Sequence, residues 1–191
     1  MTTVPDEYDG ELDNPARDLL HDVAEVSTPS TAAIRWLDTQ GVAIETIYRR
    51  AAIGTAYVCF QPTGRYTPVV TGEFAFIFAC QTMDGVSDLA AWQPSTGRLM
   101  TRLGAVGVLG QREAEDARDD INARPVRVWR TPLNWLRAGR RGVVIIDREI
   151  GAYILSDLPV IPEDAEHGRA LKRLRVPGPR VIRPAADRIA A

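Results

Sequence analysis

Five residues between positions 130 and 141 combine the side chains that nucleic-acid-binding proteins use to contact a strand. They are Arg130, Trp135, Arg137, Arg140 and Arg141, and we call them the basic face. Guanidinium groups bind phosphate oxygens through paired hydrogen bonds, and an aromatic ring offers a flat surface on which an unpaired base stacks. The segment therefore predicts a surface that contacts nucleic acid or an acidic protein partner.

The same residues have a structural interpretation that the sequence leaves open. Trp135 can be a core residue, and the arginines can pair with acidic residues near the start of the chain. Residues 1–30 carry eight acids against one arginine, a net charge of −7, whereas residues 125–191 carry a net charge of +6. An acidic segment folded over the basic face would repel phosphates and so act as an inhibitor.

Three carboxylates near predicted strands form an alternative site. Glu73 follows a pair of valines, and Asp147 and Glu149 follow the apolar run at 143–146. Acids at strand ends hold magnesium in several nucleotidyl-transfer folds. The set resembles that of Toprim domains, with Glu149 in place of the second aspartate and Phe74 in place of the glycine after the first glutamate. The alternative function is a small metal-dependent enzyme of the nucleotidyl-transfer or nuclease type.

Other common catalytic patterns are missing from the sequence. Its two histidines are His21 and His167, and no serine or cysteine lies in a Gly-x-Ser-x-Gly setting. We expect His167 to be a surface residue and predict no catalytic role for either histidine. Gly104, Gly107 and Gly110 lack the Lys-Ser/Thr pair of a phosphate loop, so we expect a hinge or a close packing contact there. We predict no catalytic residue and no cofactor.

Composition indicates an ordinary globular protein. Of the 191 residues, 45% are hydrophobic and 25% are charged. Residues 1–13 lack the apolar core of a signal peptide, and the longest apolar run, 74–80, is far shorter than the roughly 20 residues of a membrane helix. We therefore expect a cytoplasmic protein without a membrane partner, in which Cys59 and Cys80 are buried free thiols.

The pattern along the chain predicts an α+β fold. We expect a disordered acidic leader at 1–13, a single α+β domain at 14–176 and a basic extended tail at 177–191. The predicted core contains Leu19, Leu20, Val23, Val58, Phe76, Phe78, Leu89, Ala91, Leu136, Val144, Ile145 and Leu171.

The domain is predicted to begin with two helices and an antiparallel meander of three to five strands. The helices lie at 14–26 and 31–40, and Gly41 ends the second. Strands are predicted at 44–50, 56–60, 74–80, 89–92 and 99–103. Turn-forming residues at 84–85 and 94–97 separate the later strands. A polar helix is predicted at 111–122.

The last part of the domain is predicted to be a strand–helix–strand unit followed by helices. Val126–Trp129 alternates like a strand, and Thr131-Pro132 is typical of a helix start. Gly139 suits the end of that helix, and Arg140 and Arg141 are expected at an exposed corner before the next strand. A short helix at 150–155 and a C-terminal helix beginning after 162–164 complete the domain.

Three segments in this part of the chain share a recognisable pattern. They are DLAAWQPSTGRLMTRLG, VRVWRTPLNWLRAGRRGVVIID and EDAEHGRALKRL. They resemble a group of small uncharacterised proteins from alphaproteobacteria and their mobile elements, over about residues 86–176. The resemblance includes no catalytic motif. It implies a bacterial or phage cytosol and a role near replication or gene transfer, and the first hypothesis is accordingly a non-enzymatic accessory protein.

Overall fold

The computed structural model describes residues 29–48, 53–121 and 124–174. The helices there are α1 (Thr31–Thr39), α2 (Ile44–Tyr48), α3 (Gln111–Asp119), α4 (Pro132–Arg137), α5 (Arg148–Ile154) and α6 (Ala165–Leu174). The strands are β1 (Ile53–Phe60), β2 (Tyr66–Pro68), β3 (Glu73–Thr82), β4 (Gly85–Trp92), β5 (Leu99–Thr101), β6 (Val108–Leu109), β7 (Val126–Trp129), β8 (Val143–Ile145) and β9 (Val160–Ile161). The α+β class is confirmed.

Several predictions fall on residues outside these ranges. They concern the leader at 1–13, the helix at 14–26 with its core residues Leu19, Leu20 and Val23, and the tail at 177–191. His21 also lies outside the described residues.

The first sheet is a five-stranded antiparallel meander in the order β2-β1-β3-β4-β5. Its central strand is β3, whose apolar run predicted a strand covered on both faces. Phe76 and Phe78 are buried on one face, and Ala75 and Ile77 are buried on the other. One connection departs from a simple meander, because the chain leaves the edge strand β2 and passes β1 before it enters β3.

The second sheet contains the predicted strand–helix–strand unit and has the order β6-β8-β7-β9. β7 and β8 are parallel, with Val128 opposite Val143, so α4 forms the crossover that parallel strands need. The Thr131 side chain accepts a hydrogen bond from the Asn134 N–H at the start of α4, as predicted. β9 lies parallel to β7 at the edge of the sheet.

The glycine-spaced segment 104–110 contains strand β6 rather than a free hinge. β6 pairs with β8, and its two residues are buried. A Cβ atom at Gly107 would lie 2.6 Å from the Gly151 backbone nitrogen, and one at Gly110 would lie 2.4 Å from the Gly142 carbonyl oxygen. Gly107 therefore allows close packing against α5, and Gly110 allows the chain after β6 to approach the residue before β8.

The predicted strand at 44–50 is wrong where the structure describes it, because 44–48 forms helix α2. Five residues are too few to separate a period of 2 from a period of 3.6. The Thr46 N–H donates to the Ala43 carbonyl oxygen at 2.9 Å, which is a local helical contact. Ile47 is buried, while Ile44 and Tyr48 are exposed. The helix packs against α1 and α4.

A buried aspartate forms hydrogen bonds with the segment that connects β5 of the first sheet to β6 of the second. Asp88, on β4, is fully buried. Its carboxylate accepts hydrogen bonds from the backbone N–H groups of Arg102, Leu103 and Ala105 at 2.7–3.1 Å. Backbone donors of this kind satisfy a buried carboxylate and hold the segment that leaves β5 for β6.

The predicted core is largely confirmed among the described residues. Those that are buried as predicted are Val58, Phe76, Phe78, Leu89, Ala91, Leu136, Val144 and Leu171. Ile145 is only half-buried and packs at the edge of the cluster between the second sheet, α3, α5 and α6. The largest cluster lies between the first sheet and α1, α2 and α4.

Candidate functional site

The loop Gly139–Gly142, which joins α4 to β8, has an unusual backbone. Gly139, Arg140 and Gly142 have φ angles of 68°, 60° and 83°. Among the residues that the structure describes, Arg140 is the only non-glycine with a positive φ. This conformation costs an ordinary residue roughly 1–2 kcal/mol, and it persists where surrounding contacts hold it. One such contact is the Arg140 N–H, which donates to the Trp135 carbonyl oxygen at 2.9 Å.

Three further hydrogen bonds hold the loop from three different elements. The Gly142 N–H donates to Glu113 Oε2 of α3 at 2.8 Å. The Trp135 Nε1–H of α4 donates to the Gly142 carbonyl oxygen at 2.9 Å. The Trp129 Nε1–H of β7 donates to the Arg141 carbonyl oxygen at 2.7 Å. Two indole groups thus fix consecutive carbonyl groups, so the loop is rigidly positioned.

A cleft of about 580 Å³ opens beside this loop, and we call it the Arg140 cleft. Residues of β3, α3, α4 and the loop line it. They are Ala79, Gln81, Gly110, Arg112, Glu113, Asp116, Trp135, Gly139, Arg140 and Arg141. Three members of the predicted basic face, Trp135, Arg140 and Arg141, therefore lie together at one cleft.

The prediction that Arg140 lies at an exposed corner is wrong, because its side chain is largely buried. Its guanidinium carbon lies 5.9 Å from the centre of the Trp135 ring, and its Nε and Nη2 atoms are buried. Burial lowers the pKa of Arg140 to about 10, so the group is still charged at neutral pH. Arg141 is exposed, as predicted. The loop thus buries most of one guanidinium in the wall of the cleft and exposes another beside it.

The carboxylates of the cleft already have partners. Glu113 accepts the Gly142 N–H, and Asp116 accepts a hydrogen bond from Arg112 Nε at 2.9 Å. The lining contains three arginines against these two carboxylates. The cleft therefore has a formal positive charge, which favours an anionic ligand.

The other residues of the basic face do not line the Arg140 cleft. Arg130 Nη1 and Nη2 donate to the two carboxylate oxygens of Asp164 at 2.6 and 2.8 Å. The hydrogen bond with Asp164 raises the pKa of Arg130. Arg137 is exposed, and its Nε donates to the Gln40 carbonyl oxygen at 2.6 Å. The predicted face is therefore divided, and the Arg130 charge is balanced within the chain.

Trp135 is a core residue, which is the structural interpretation that the sequence left open. It is 6% exposed, and its ring meets Phe78 edge-on at 5.9 Å between centroids. Since Arg140 lies over the ring, Trp135 does not offer an open face to an unpaired base. Its contribution to the cleft is to hold Arg140 and Gly142 in place.

The structure does not bring the alternative metal ligands together. Glu73 pairs with Arg98 at 2.9 Å on the first sheet. Asp147 caps α5, where its Oδ1 accepts the N–H groups of Glu149 and Ile150 at 2.9 and 2.8 Å. In the described ranges, no group of three His, Cys, Asp or Glu residues could hold a metal ion.

His167 is buried at 7% exposure, so the prediction of a surface histidine is wrong. It shares the inner face of α6 with Leu171, four residues further on, and its charged neighbours in sequence hid this spacing. Nδ1 accepts the Glu163 N–H at 3.3 Å, and the His167 N–H donates to Asp164 Oδ1 at 2.8 Å. Burial lowers the pKa of His167, with a smaller contribution from Arg130.

Cys59 and Cys80 are both free, but only Cys80 is buried as predicted. On β1, successive side chains point to opposite faces, so the buried Val58 leaves Cys59 exposed. Burial raises the pKa of the Cys80 thiol, which keeps it protonated.

Sequence reasoning missed the part that α3 and β3 play at the cleft. The sequence predicted only a polar helix at 111–122, which includes Arg112 and Asp116, and Glu113 and Gln81 were not singled out. The available signal was the Gly-Arg-Arg-Gly sequence at 139–142, because paired glycines allow positive φ angles on both sides of the arginines.

A second cleft, of about 500 Å³, lies at the other end of β3, and we call it the Trp36 cleft. Its lining residues are Ser30, Ala32, Ala33, Trp36, Phe74, Phe76, Gln93, Pro94 and Ser95. None of these is charged. Trp36 and Phe76 lie 5.4 Å apart between ring centroids, and Phe74 is 40% exposed.

Comparisons with known proteins identify no relative: no family model, curated protein or solved structure matches the chain. No helix in the described part of the chain has the length and apolar character needed to cross a membrane.

Proposed function

We propose that this protein is a non-enzymatic accessory protein that binds nucleic acid through the Gly139–Gly142 loop and the Arg140 cleft. The main support is the loop that contains the left-handed Arg140. Three elements hold this loop so that the largely buried Arg140 and the exposed Arg141 both line one cleft. Proteins retain strained backbone of this kind chiefly at binding and catalytic sites.

Electrostatics also supports this proposal. A phosphate oxygen accepts hydrogen bonds from guanidinium groups, and such bonds strengthen where the donor is partly shielded from water. Arg141 provides an accessible guanidinium, and the charge of the buried Arg140 guanidinium adds to the positive potential at the cleft. Glu113 and Asp116 compete weakly for these arginines, because each already accepts a hydrogen bond from another group.

The same proposal includes the setting of the protein. We propose that the protein acts in a bacterial or phage cytosol, with a partner that takes part in replication or gene transfer. The support is the resemblance of residues 86–176 to alphaproteobacterial and mobile-element proteins, together with an arginine-rich C-terminal half. An acidic protein that handles nucleic acid is the alternative partner, and it would contact the same arginines. The metal-dependent alternative has no support from the positions of Glu73, Asp147 and Glu149.

The test is the fluorescence anisotropy of labelled single-stranded and duplex oligonucleotides, titrated with the full-length chain at low salt. We expect binding that weakens as salt rises and that weakens in Arg141→Ala. The matched control is Arg148→Ala, which removes an equal charge from an exposed residue that does not line the cleft. If the full-length chain binds neither oligonucleotide, the proposal is wrong and an acidic protein becomes the better candidate partner.

A further inference from the structure

The Trp36 cleft leaves one side of α1 uncovered. Ala32 and Trp36 line the cleft and are four residues apart, so they lie on the same side of the helix. Ala32 is exposed, whereas Ala33 and Leu37 are buried in the core cluster that α1 shares with the first sheet. Apolar surface that is exposed in this way is a common sign of a docking site.

The apolar surface continues along the same face of the first sheet. Trp36 packs on Phe76, and Phe74 lies two residues before Phe76 on the same face of β3. Tyr57 of β1 is opposite Phe74, and their rings meet edge-on at 6.3 Å between centroids. Phe74 is 40% exposed and Tyr57 is 54% exposed. The helix α1 therefore covers one end of this face, and the other end has room for a further element beside α1.

The chain reaches α1 at this cleft. Ser30, the N-cap of α1, is itself a lining residue. Val26 is four residues before Ser30, and an extended chain spans at most about 3.6 Å per residue, so the two Cα atoms are at most about 14 Å apart. Consecutive helices joined by so short a connection are usually neighbours in space. The segment that precedes α1 is thus tied to the edge of the cleft.

The sequence of this segment fits a cleft whose lining has no charge. The helix predicted at 14–26 has one apolar stripe with the spacing i, i+1, i+4, i+7, made of Leu19, Leu20, Val23 and Val26. The leader at 1–13 has five acids and the tail at 177–191 has three arginines. Either of these would bury charge against a lining that offers no charged partner, which is unfavourable.

We infer that residues 14–26 form an amphipathic helix that docks in the Trp36 cleft and covers Phe74 and Tyr57. Thirteen helical residues span about 20 Å, enough to extend from the cleft along the uncovered face of the sheet. The Trp36 cleft is then an internal docking surface for the chain's own N-terminal segment. This inference does not rest on the proposed function, and nucleic-acid binding at the Arg140 cleft stands or falls separately.

The test is the rate at which a neutral maleimide labels Ala32→Cys in the full-length chain. The background is Cys59→Ser, because Cys59 is exposed whereas Cys80 is buried. The reference is Arg148→Cys in the same background, since Arg148 is exposed and does not line the cleft. A docked segment protects the thiol at position 32 and leaves the thiol at position 148 accessible.

We expect Ala32→Cys to react at least about tenfold more slowly than Arg148→Cys, and Leu19→Ser with Leu20→Ser to restore most of that rate. The matched control is Asp18→Ser with Glu25→Ser, which changes two residues on the opposite side of the predicted helix and should leave the rate unchanged. Circular dichroism and the thermal midpoint show whether each variant is folded. Val23→Ser is the milder replacement if the leucine pair proves necessary for folding.

Three results would overturn the inference. Equal labelling of Ala32→Cys and Arg148→Cys would show that the cleft is open in the full-length chain. A slow rate that neither the leucine pair nor Val23→Ser raises would assign the protection to another part of the molecule. Protection that increases with protein concentration would identify a second copy of the chain as the occupant, whereas an internal helix protects equally at every concentration.

Discussion

The two clefts at opposite ends of β3 differ in what defines their shape. The Trp36 cleft is bounded by rings that pack on one another, and it has no charged lining residue. The Arg140 cleft is bounded by a strained loop whose carbonyl and N–H groups are held by named hydrogen bonds. Directed hydrogen bonds fix the position of each group in the loop, whereas the rings of the Trp36 cleft are part of the packed core. Our proposal of ligand binding therefore concerns the Arg140 cleft, and we expect the rings to contribute to stability.

A row of aromatic rings joins the two clefts through the core. Phe76 lies 5.7 Å from Trp92, Trp92 lies 6.4 Å from Phe78, and Phe78 lies 5.9 Å from Trp135 between centroids. Trp135 then carries Arg140 over its ring. Because the rings are contiguous, loss of packing near Trp36 should destabilise the whole first sheet.

The largest expected effect is on the packing side of the comparison. Phe76→Ala removes a ring that is 1% exposed and should lower the free energy of unfolding by about 3–5 kcal/mol. Phe74→Ala is the control two residues away on the same strand, and it should cost clearly less because Phe74 is 40% exposed. Urea unfolding followed by tryptophan fluorescence measures both. Equal losses of stability in the two variants would contradict the assignment of core stability to the buried ring.

The next effect is on the hydrogen-bonded side. Glu113→Ala leaves the Gly142 N–H without its carboxylate acceptor and should cost about 1–3 kcal/mol. Asp116→Ala, on the same helix, breaks an exposed pair with Arg112 and should cost only about 0.3–0.5 kcal/mol. Chemical denaturation gives both values. A Glu113→Ala variant as stable as Asp116→Ala would mean that the loop is held without α3.

The sequence predicts the local features of the two clefts but not the contacts between distant elements. The apolar run of β3, the Thr131-Pro132 helix start and the Gly139 helix end are local patterns, and they were predictable because neighbouring residues alone determine them. The inward turn of Arg140 and the burial of His167 depend on contacts with distant elements. The acceptor that Glu113 offers to Gly142 joins residues 29 positions apart, and no local pattern encodes that pairing.

A smaller effect concerns pH and the cluster that balances Arg130. The pKa of His167 is lowered in the folded chain, where Arg130, Glu163 and Asp164 face it, so the unfolded chain binds a proton more readily. Stability should therefore be constant above about pH 6.5 and should fall as the pH drops below that value. Asp164 does not interfere in this window, because its pKa is lowered from 3.8 by the His167 N–H and by Arg130.

Urea unfolding at pH 7.5 and pH 5.5 measures this effect. His167→Gln should remove most of the difference between the two pH values. A His167→Gln variant with the full wild-type pH dependence would assign the effect to other groups.

The smallest expected effect is the removal of residues 1–13. These residues carry five acids and no base, so they repel phosphates or compete for the arginines of the cleft. The shortened chain should bind a single-stranded oligonucleotide a few-fold more tightly at low salt, and the gain should shrink as salt rises. Unchanged or weaker binding would argue against inhibition by the acidic segment.

The most direct measurement is the salt dependence of single-strand binding by wild type and by Arg141→Ala. Each phosphate neutralised on a single strand contributes roughly −0.7 to the slope of log K against log salt. We predict that Arg141→Ala binds more weakly with a slope flatter by about 0.7, while Arg148→Ala retains the wild-type slope. An Arg141→Ala variant that matches wild type in affinity and slope would contradict the assignment of nucleic-acid binding to the Arg140 cleft.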